Sequence, residues 1–182
     1  MRNSIFAALA LSLVGSLAQA SSLFLEAGNW AAVYKGDTCH VYTLSSARDT
    51  SGYLEFTFQN NGFNATFDYI YTPYTPDEID APWDESMDSV SLYIGDQPVW
   101  YGEEMFFYTG PGFTYGASLT PGFISELTAE MIANGERFDF AVDRAVDGET
   151  WLYGGFSLEG FDQALAKAGE MCQFDPRALP QS

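Results

Sequence analysis

Apolar and polar residues alternate along most of this chain, and that period-two pattern predicts strands. The clearest case is Gly52 to Gln59, where Leu54, Phe56 and Phe58 oppose Tyr53, Glu55 and Thr57. Asn60-Asn61-Gly62 signals a turn, and Ala65 to Thr72 returns as an aromatic and β-branched strand, so the pair reads as a hairpin. Upstream, Asn29 to Tyr34 and Thr38 to Leu44 flank the turn Lys35-Gly36-Asp37. Downstream, Ser89 to Ile94 and Pro98 to Tyr101 flank Gly95-Asp96-Gln97. Further strands are predicted at Glu104 to Thr109 and Phe113 to Leu119, separated by the breaker Pro111-Gly112. Glu136 to Val142 and Thr150 to Leu158 complete a hairpin around Asp147-Gly148, a type I′ signal.

Only two stretches carry a helical period. Thr120 is placed as N-cap with Pro121 at the first helical position, and Phe123, Ile124, Leu127, Met131 and Ile132 form one apolar stripe that stops at Asn134-Gly135. From Glu159 to Cys172, Phe161, Leu165, Ala168 and Cys172 recur at helical spacing. Many short strands and two helices predict a mainly β fold, an antiparallel β-sandwich with two short α-helices at its edge. No internal repeat divides it. Residues 21–173 are expected to form a single β-rich domain, and residues 174–182, with Pro176 and Pro180, a flexible C-terminal tail.

The first twenty residues break the pattern. A basic Arg2, an apolar run from Ile5 to Leu17 and the small-residue end Ala18-Gln19-Ala20 read as a secretory signal peptide with cleavage expected after Ala20. That predicts a periplasmic or secreted protein. No later segment holds the roughly 20 apolar residues of a membrane helix. Charge then sharpens the partner classes. Among 182 residues, 25 are acidic and 7 are Lys or Arg, a net charge of −18, and cleavage removes only a cation. Such an excess argues against nucleic acid and anionic lipid, which need clustered Lys and Arg. Disorder does not explain it, because 47% of the residues are hydrophobic and 16% aromatic.

Two cysteines, Cys39 and Cys172, remain in the mature chain, and an even count in an exported protein predicts a disulfide. It would close a loop of about 134 residues, for which chain entropy gives roughly 5 kcal/mol. His40 follows Cys39, but strand neighbours point to opposite faces, so adjacency works against a thiol–imidazole pair.

Two motifs at the ends of the domain point to a family. Gly154-Gly155-Phe156-Ser157-Leu158-Glu159-Gly160-Phe161, followed by Ala164-Leu165, resembles the closing signature of the invasion-associated locus B family of exported proteobacterial proteins. Gly28-Asn29-Trp30 with Cys39 is similar to that family's opening Gly-Asp-Trp and nearby cysteine. The resemblance implies a periplasmic or surface-associated β-sandwich, linked in pathogenic members to host-cell invasion and without established enzymatic chemistry. Two features depart from it. Tyr34 stands where many members have a cysteine, and the family's central cysteine pair is missing.

Catalytic machinery is sparse. One histidine, His40, would have to serve any Ser-His-Asp or Cys-His site, and neither a nucleophile elbow nor a phosphate-cradling or dinucleotide-binding glycine motif occurs. Glu103-Glu104 and the acidic loop offer carboxylates for glycoside hydrolysis, yet pairs of acids are expected in so acidic a domain. The expectation is therefore a protein that is not an enzyme, with no cofactor and no firm metal site. Its partner is an unknown protein or glycan in the envelope or outside the cell.

The most distinctive segment is Pro73 to Asp88, with Asp77, Glu78, Asp80, Asp84, Glu85 and Asp88 around Trp83 and no basic residue. It reads as a long exposed loop and candidate binding loop. Asp77, Asp80, Asp84 and Asp88 are the weak candidates for calcium, without the spacing of a calcium-binding loop. Tryptophans and tyrosines, among them Trp30, Trp83, Trp100 and Trp151, exceed what one small core hides, which keeps a carbohydrate- or peptide-binding module as the alternative to an interaction protein.

Overall fold

The computed structural model describes residues 23–44, 52–72, 82–112 and 114–180. Eleven strands form two antiparallel sheets among these residues. The larger is ordered β1 (Phe24–Ala27), β2 (Trp30–Lys35), β3 (Thr38–Thr43), β4 (Tyr53–Gln59), β5 (Thr66–Tyr71), β9 (Thr114–Leu119), β8 (Met105–Gly110). In the smaller, β11 (Thr150–Ser157), β10 (Arg137–Asp143), β6 (Ser89–Ile94) and β7 (Gln97–Val99) lie side by side. The expected β-sandwich is thus the architecture, and each predicted strand is present to within a few residues. Strand β1 escapes the pattern because its four residues are too few to show alternation, and it is held by pairing Phe24 to Ala27 against Val33 to Trp30.

Alternation fixes which face is inside. Phe56 and Phe58 on β4, Phe67 and Tyr69 on β5, and Phe138 and Phe140 on β10 are fully buried, and the sheets meet through their rings. Tyr69 stacks on Phe140 at 3.9 Å between centroids, and Phe67 meets Phe138 edge-on at 5.6 Å. Tyr69 also donates its hydroxyl to the Tyr153 carbonyl across the core at 3.1 Å, so its one polar atom is not stranded there.

Four strands cannot cover seven. The uncovered inner face of β1 to β4 is closed by helix α2 (Phe161–Cys172), so this helix forms part of the second layer and not merely an edge. Its predicted face is the buried one: Phe161 packs on Trp30 at 4.7 Å and on Phe56 at 5.4 Å, and Cys172 is disulfide-bonded to Cys39. Entry into α2 needs Gly160, whose φ is 90° and where a Cβ would lie 1.9 Å from the Ala27 carbonyl oxygen.

Three expectations change. Helix α1 (Ile124–Asn134) is not capped by Thr120, because that hydroxyl donates to the Glu104 carbonyl at 2.8 Å and a 3-10 turn, Pro121–Phe123, leads in instead. Its stripe is rotated by one position, with Thr128 buried and Ile132 exposed. In the β10–β11 connection only Gly148 has positive φ, so the six-residue loop 144–149 replaces a type I′ turn. Beyond α2, Phe174 lies 4.8 Å from Phe58 and Leu179 is buried, while Asp175, Arg177 and Ala178 are exposed.

The bridge joins residues 133 apart in sequence and both sulfurs are buried, so its removal acts on the whole fold. The double variant Cys39→Ala/Cys172→Ala is expected to lose about 2–5 kcal/mol, a Tm lower by roughly 5–15 °C in a thermal melt.

Candidate binding face

The acidic segment places its described residues in two environments. Trp83, expected in an exposed recognition loop, is 2% exposed and lies in the core, 5.0 Å from Phe107, 5.4 Å from Tyr153 and 6.2 Å from Tyr71. A tryptophan flanked by acids and prolines reads as loop in a one-dimensional pattern, yet the indole plugs one end of the sandwich. Asp88 is likewise not a free ligand: its side chain is 2% exposed, its Oδ2 is 2.9 Å from Arg144 Nε and its Oδ1 accepts the Ala145 amide at 2.9 Å. Asp84 turns its carboxylate onto the Ser86 hydroxyl and amide, which hold it below the usual carboxylate range. Glu85 accepts from the Thr109 hydroxyl at 2.8 Å. Asp77, Glu78 and Asp80 lie outside the described residues. Among the described residues no three His, Cys, Asp or Glu gather as a metal would require. Truncating the plug tests its role: Trp83→Ala is expected to destabilise by about 3–5 kcal/mol in urea unfolding, far beyond the effect of removing a surface contact.

The outer face of the seven-stranded sheet carries the histidine. His40 Nδ1 is 2.8 Å from Glu55 Oε1, and Cys39, one residue earlier, points the other way into the disulfide. Glu55 stands directly across the ladder from Asp68, which accepts from the Thr66 hydroxyl at 3.0 Å. Burial first, then these carboxylates, push the Tyr53 and Tyr108 phenols up. The arrangement is an interlocked polar surface, with His40 held by Glu55 on the next strand, Thr57 by Thr66 on the next, and Asp68 by Thr66 on its own.

The outer face of the four-stranded sheet is different in kind. Its floor is made of short side chains, Ser89 and Ser91 on β6 and Ala141 on β10, with Ser91 directly opposite Ala141. Two depressions adjoin there. One, about 270 Å³, is bounded by Ser91, Pro98, Trp100, Glu103 and Asp143. The other, about 340 Å³, is bounded by Tyr93, Asp96, Asp139, Thr150 and Leu152. Asp143 stands between strands and accepts from the Ser91 and Thr150 hydroxyls, which fixes its carboxylate. Asp139 accepts from Arg137 Nε at 2.6 Å, yet burial outweighs the guanidinium and raises its pKa.

Trp100 forms the rim and is 84% exposed. It sits at the start of the 3-10 turn Trp100–Glu104, whose Gly102 lies so close to β6 that a Cβ would come within 2.4 Å of the Val90 carbonyl oxygen. The next residue anchors the turn from the other side. Tyr101 packs on Phe123 at 5.8 Å and its hydroxyl points at Glu126 and Glu130 of α1, both at 3.4 Å. Indole and phenol therefore diverge, one to solvent and one to the helix. The strand reading of Pro98 to Tyr101 concealed this, since the chain leaves β7 after Val99. The alternating Ser89, Ser91, Tyr93 and Asp139, Ala141, Asp143 were the available signal for a polar, small-residue face.

Compared with protein families, curated proteins and solved structures, the chain matches none. The buried disulfide suits an oxidising compartment. Among the described residues no helix is long and apolar enough to cross a membrane.

The Tyr101 phenol makes one pH-dependent test. Burial, then Glu130 and Glu126, push its pKa from 10.0 to about 12. Above pH 10 the unfolded chain releases a proton that the folded chain keeps, so stability falls as pH rises towards 12. Urea midpoints measured between pH 9 and 11.5 are expected to decline less steeply in Tyr101→Phe than in the parent chain.

Proposed function

We propose that this chain is a noncatalytic, exported interaction protein of the kind its resemblance to the invasion-associated locus B family implies, and that it engages its partner through the outer face of the four-stranded sheet. The observation that carries the reading is Trp100, an exposed indole at the start of a 3-10 turn, on the rim of the first depression. Large aromatics at the centre of a binding surface supply much of its energy, and presenting one to water without a partner has a cost in solubility. Export is supported by the leader-like first twenty residues and by the disulfide. A noncatalytic role is supported by the fate of Cys39, whose sulfur is taken up in the disulfide.

The test uses the mature chain, fluorescently labelled and sedimented with washed envelopes of the source cells. Trp100→Ala is expected to keep the parent Tm, because the indole packs on little, and to lose at least fivefold in retained label. Equal retention of parent and variant would remove this face from the proposal.

A further inference from the structure

Resting on that reading of the face, we propose that the groove takes a neutral oligosaccharide, with one ring stacked on Trp100 and its hydroxyls donating to Asp143. Three features of the groove select this ligand class. The first is its balance of hydrogen-bonding groups. Carboxylates are acceptors only, and Asp143, Asp139 and Glu103 make the walls rich in acceptors. Each sugar hydroxyl brings a donor, whereas a peptide brings one backbone donor per residue and an apolar ligand none. Asp143 already receives two hydroxyls, from Ser91 and Thr150, and a carboxylate has about four acceptor positions. It is thus a pre-oriented acceptor whose remaining positions suit further hydroxyls.

The second feature is the shape. Asp139 and Asp143 are four residues apart on β10, about 13 Å along the strand. They serve the two adjoining depressions, so a ligand that uses both is a chain of rings and not a single one. The floor of Ser89, Ser91 and Ala141 lets such a chain approach closely; β10 is paired on both sides, and β6, which β7 pairs only over Leu92 to Ile94, has the turn Trp100–Glu104 packed against Val90, so strand addition by a peptide is obstructed there. The indole offers the flat apolar surface that the C–H face of a sugar ring matches.

The third is the field. A protein of net charge −18, with Asp96, Glu103, Asp139 and Asp143 around this groove, repels uronate, sulfate and phosphate. Arg137, beside the second depression, is already committed to Asp139. Anionic polysaccharides are therefore excluded and uncharged ones remain.

The probes are neutral hexasaccharides of glucose, N-acetylglucosamine, mannose and xylose, with polygalacturonate and heparin as acidic controls and a Lys-rich peptide as the competing class. Tryptophan fluorescence and calorimetry are read on the mature chain. At least one neutral hexasaccharide is expected to quench and bind, with affinity changed less than twofold between 50 and 500 mM salt, because no ion pair is involved. Trp100→Ala and Asp143→Asn are each expected to weaken it at least tenfold, and Trp100→Ala, an exposed substitution, keeps the test valid if Asp143→Asn unfolds. Affinity unchanged in Trp100→Ala would overturn the assignment. So would binding of the acidic polymers, or of no hexasaccharide. If the Lys-rich peptide alone binds, steeply dependent on salt and on Trp100, the sugar assignment falls while the face remains the binding surface; if envelope retention is also indifferent to Trp100, both fall.

Discussion

The contact on which the rest of the fold depends is the clamp between the two ends of the domain. Trp30, near the start, lies under Phe161, the first residue of the last helix, and donates its indole N–H to the Ser157 carbonyl at 2.9 Å. Beside it the Asn29 amide donates to the Glu159 carbonyl at 2.9 Å, and one helix length away Cys39 is bonded to Cys172. Ring packing, hydrogen bonds and a covalent link thus act on the same pair of elements. Without them, α2 would leave the inner face of β1 to β4 to water, and the aromatic row Trp30, Phe56, Phe58 would lose its cover. Chain closure of this span is entropically expensive, and a bridge that constrains the unfolded chain offsets part of it.

The same clamp gives the two end motifs a physical meaning. Gly28-Asn29-Trp30 and Ser157-Leu158-Glu159-Gly160-Phe161 lie at opposite ends of the domain in sequence, and in space they touch. Gly28 has positive φ and would set a Cβ 2.4 Å from the Glu159 carbonyl oxygen, so the turn before β2 and the turn into α2 rest against each other. A pair of motifs that meet in this way constrains the fold. It does not bear on what the protein binds.

Legibility in the sequence followed the strength of local periodicity. Strands β4 and β5 and the buried face of α2 were readable because Leu54, Phe56 and Phe58, and Phe161, Leu165, Ala168 and Cys172, obey one period throughout. The pairing of Cys39 with Cys172 was readable because only two cysteines were available. Trp83 was not, since its burial depends on Tyr71, Phe107 and Tyr153 arriving from three other strands. Nor was the packed tail, where Phe174 is held by Phe58 and by its own amide donating to the Gly169 carbonyl. Trp100 was hidden for the opposite reason: its neighbours Val99 and Tyr101 extend an apparent strand, and only the approach of Gly102 to β6 turns the chain and throws the indole outward.

Acidic charge then takes on a different role from the one its amount suggests. The six acids of the 77–88 segment drew attention as a ligand set, yet Asp84 and Asp88 spend their oxygens on Ser86, Ala145 and Arg144. Those carboxylates order a loop. On the larger sheet Glu55 and Asp68 are bound into a ladder of His40, Thr57 and Thr66. On the smaller sheet a fixed carboxylate, Asp143, stands at the wall of a depression next to the exposed Trp100. A charge that is already satisfied stabilises, whereas one with acceptor positions turned to an open groove can recognise. That difference in how each carboxylate is partnered, rather than the density of acids along the chain, directs attention from the acidic loop to β6, β10 and Trp100.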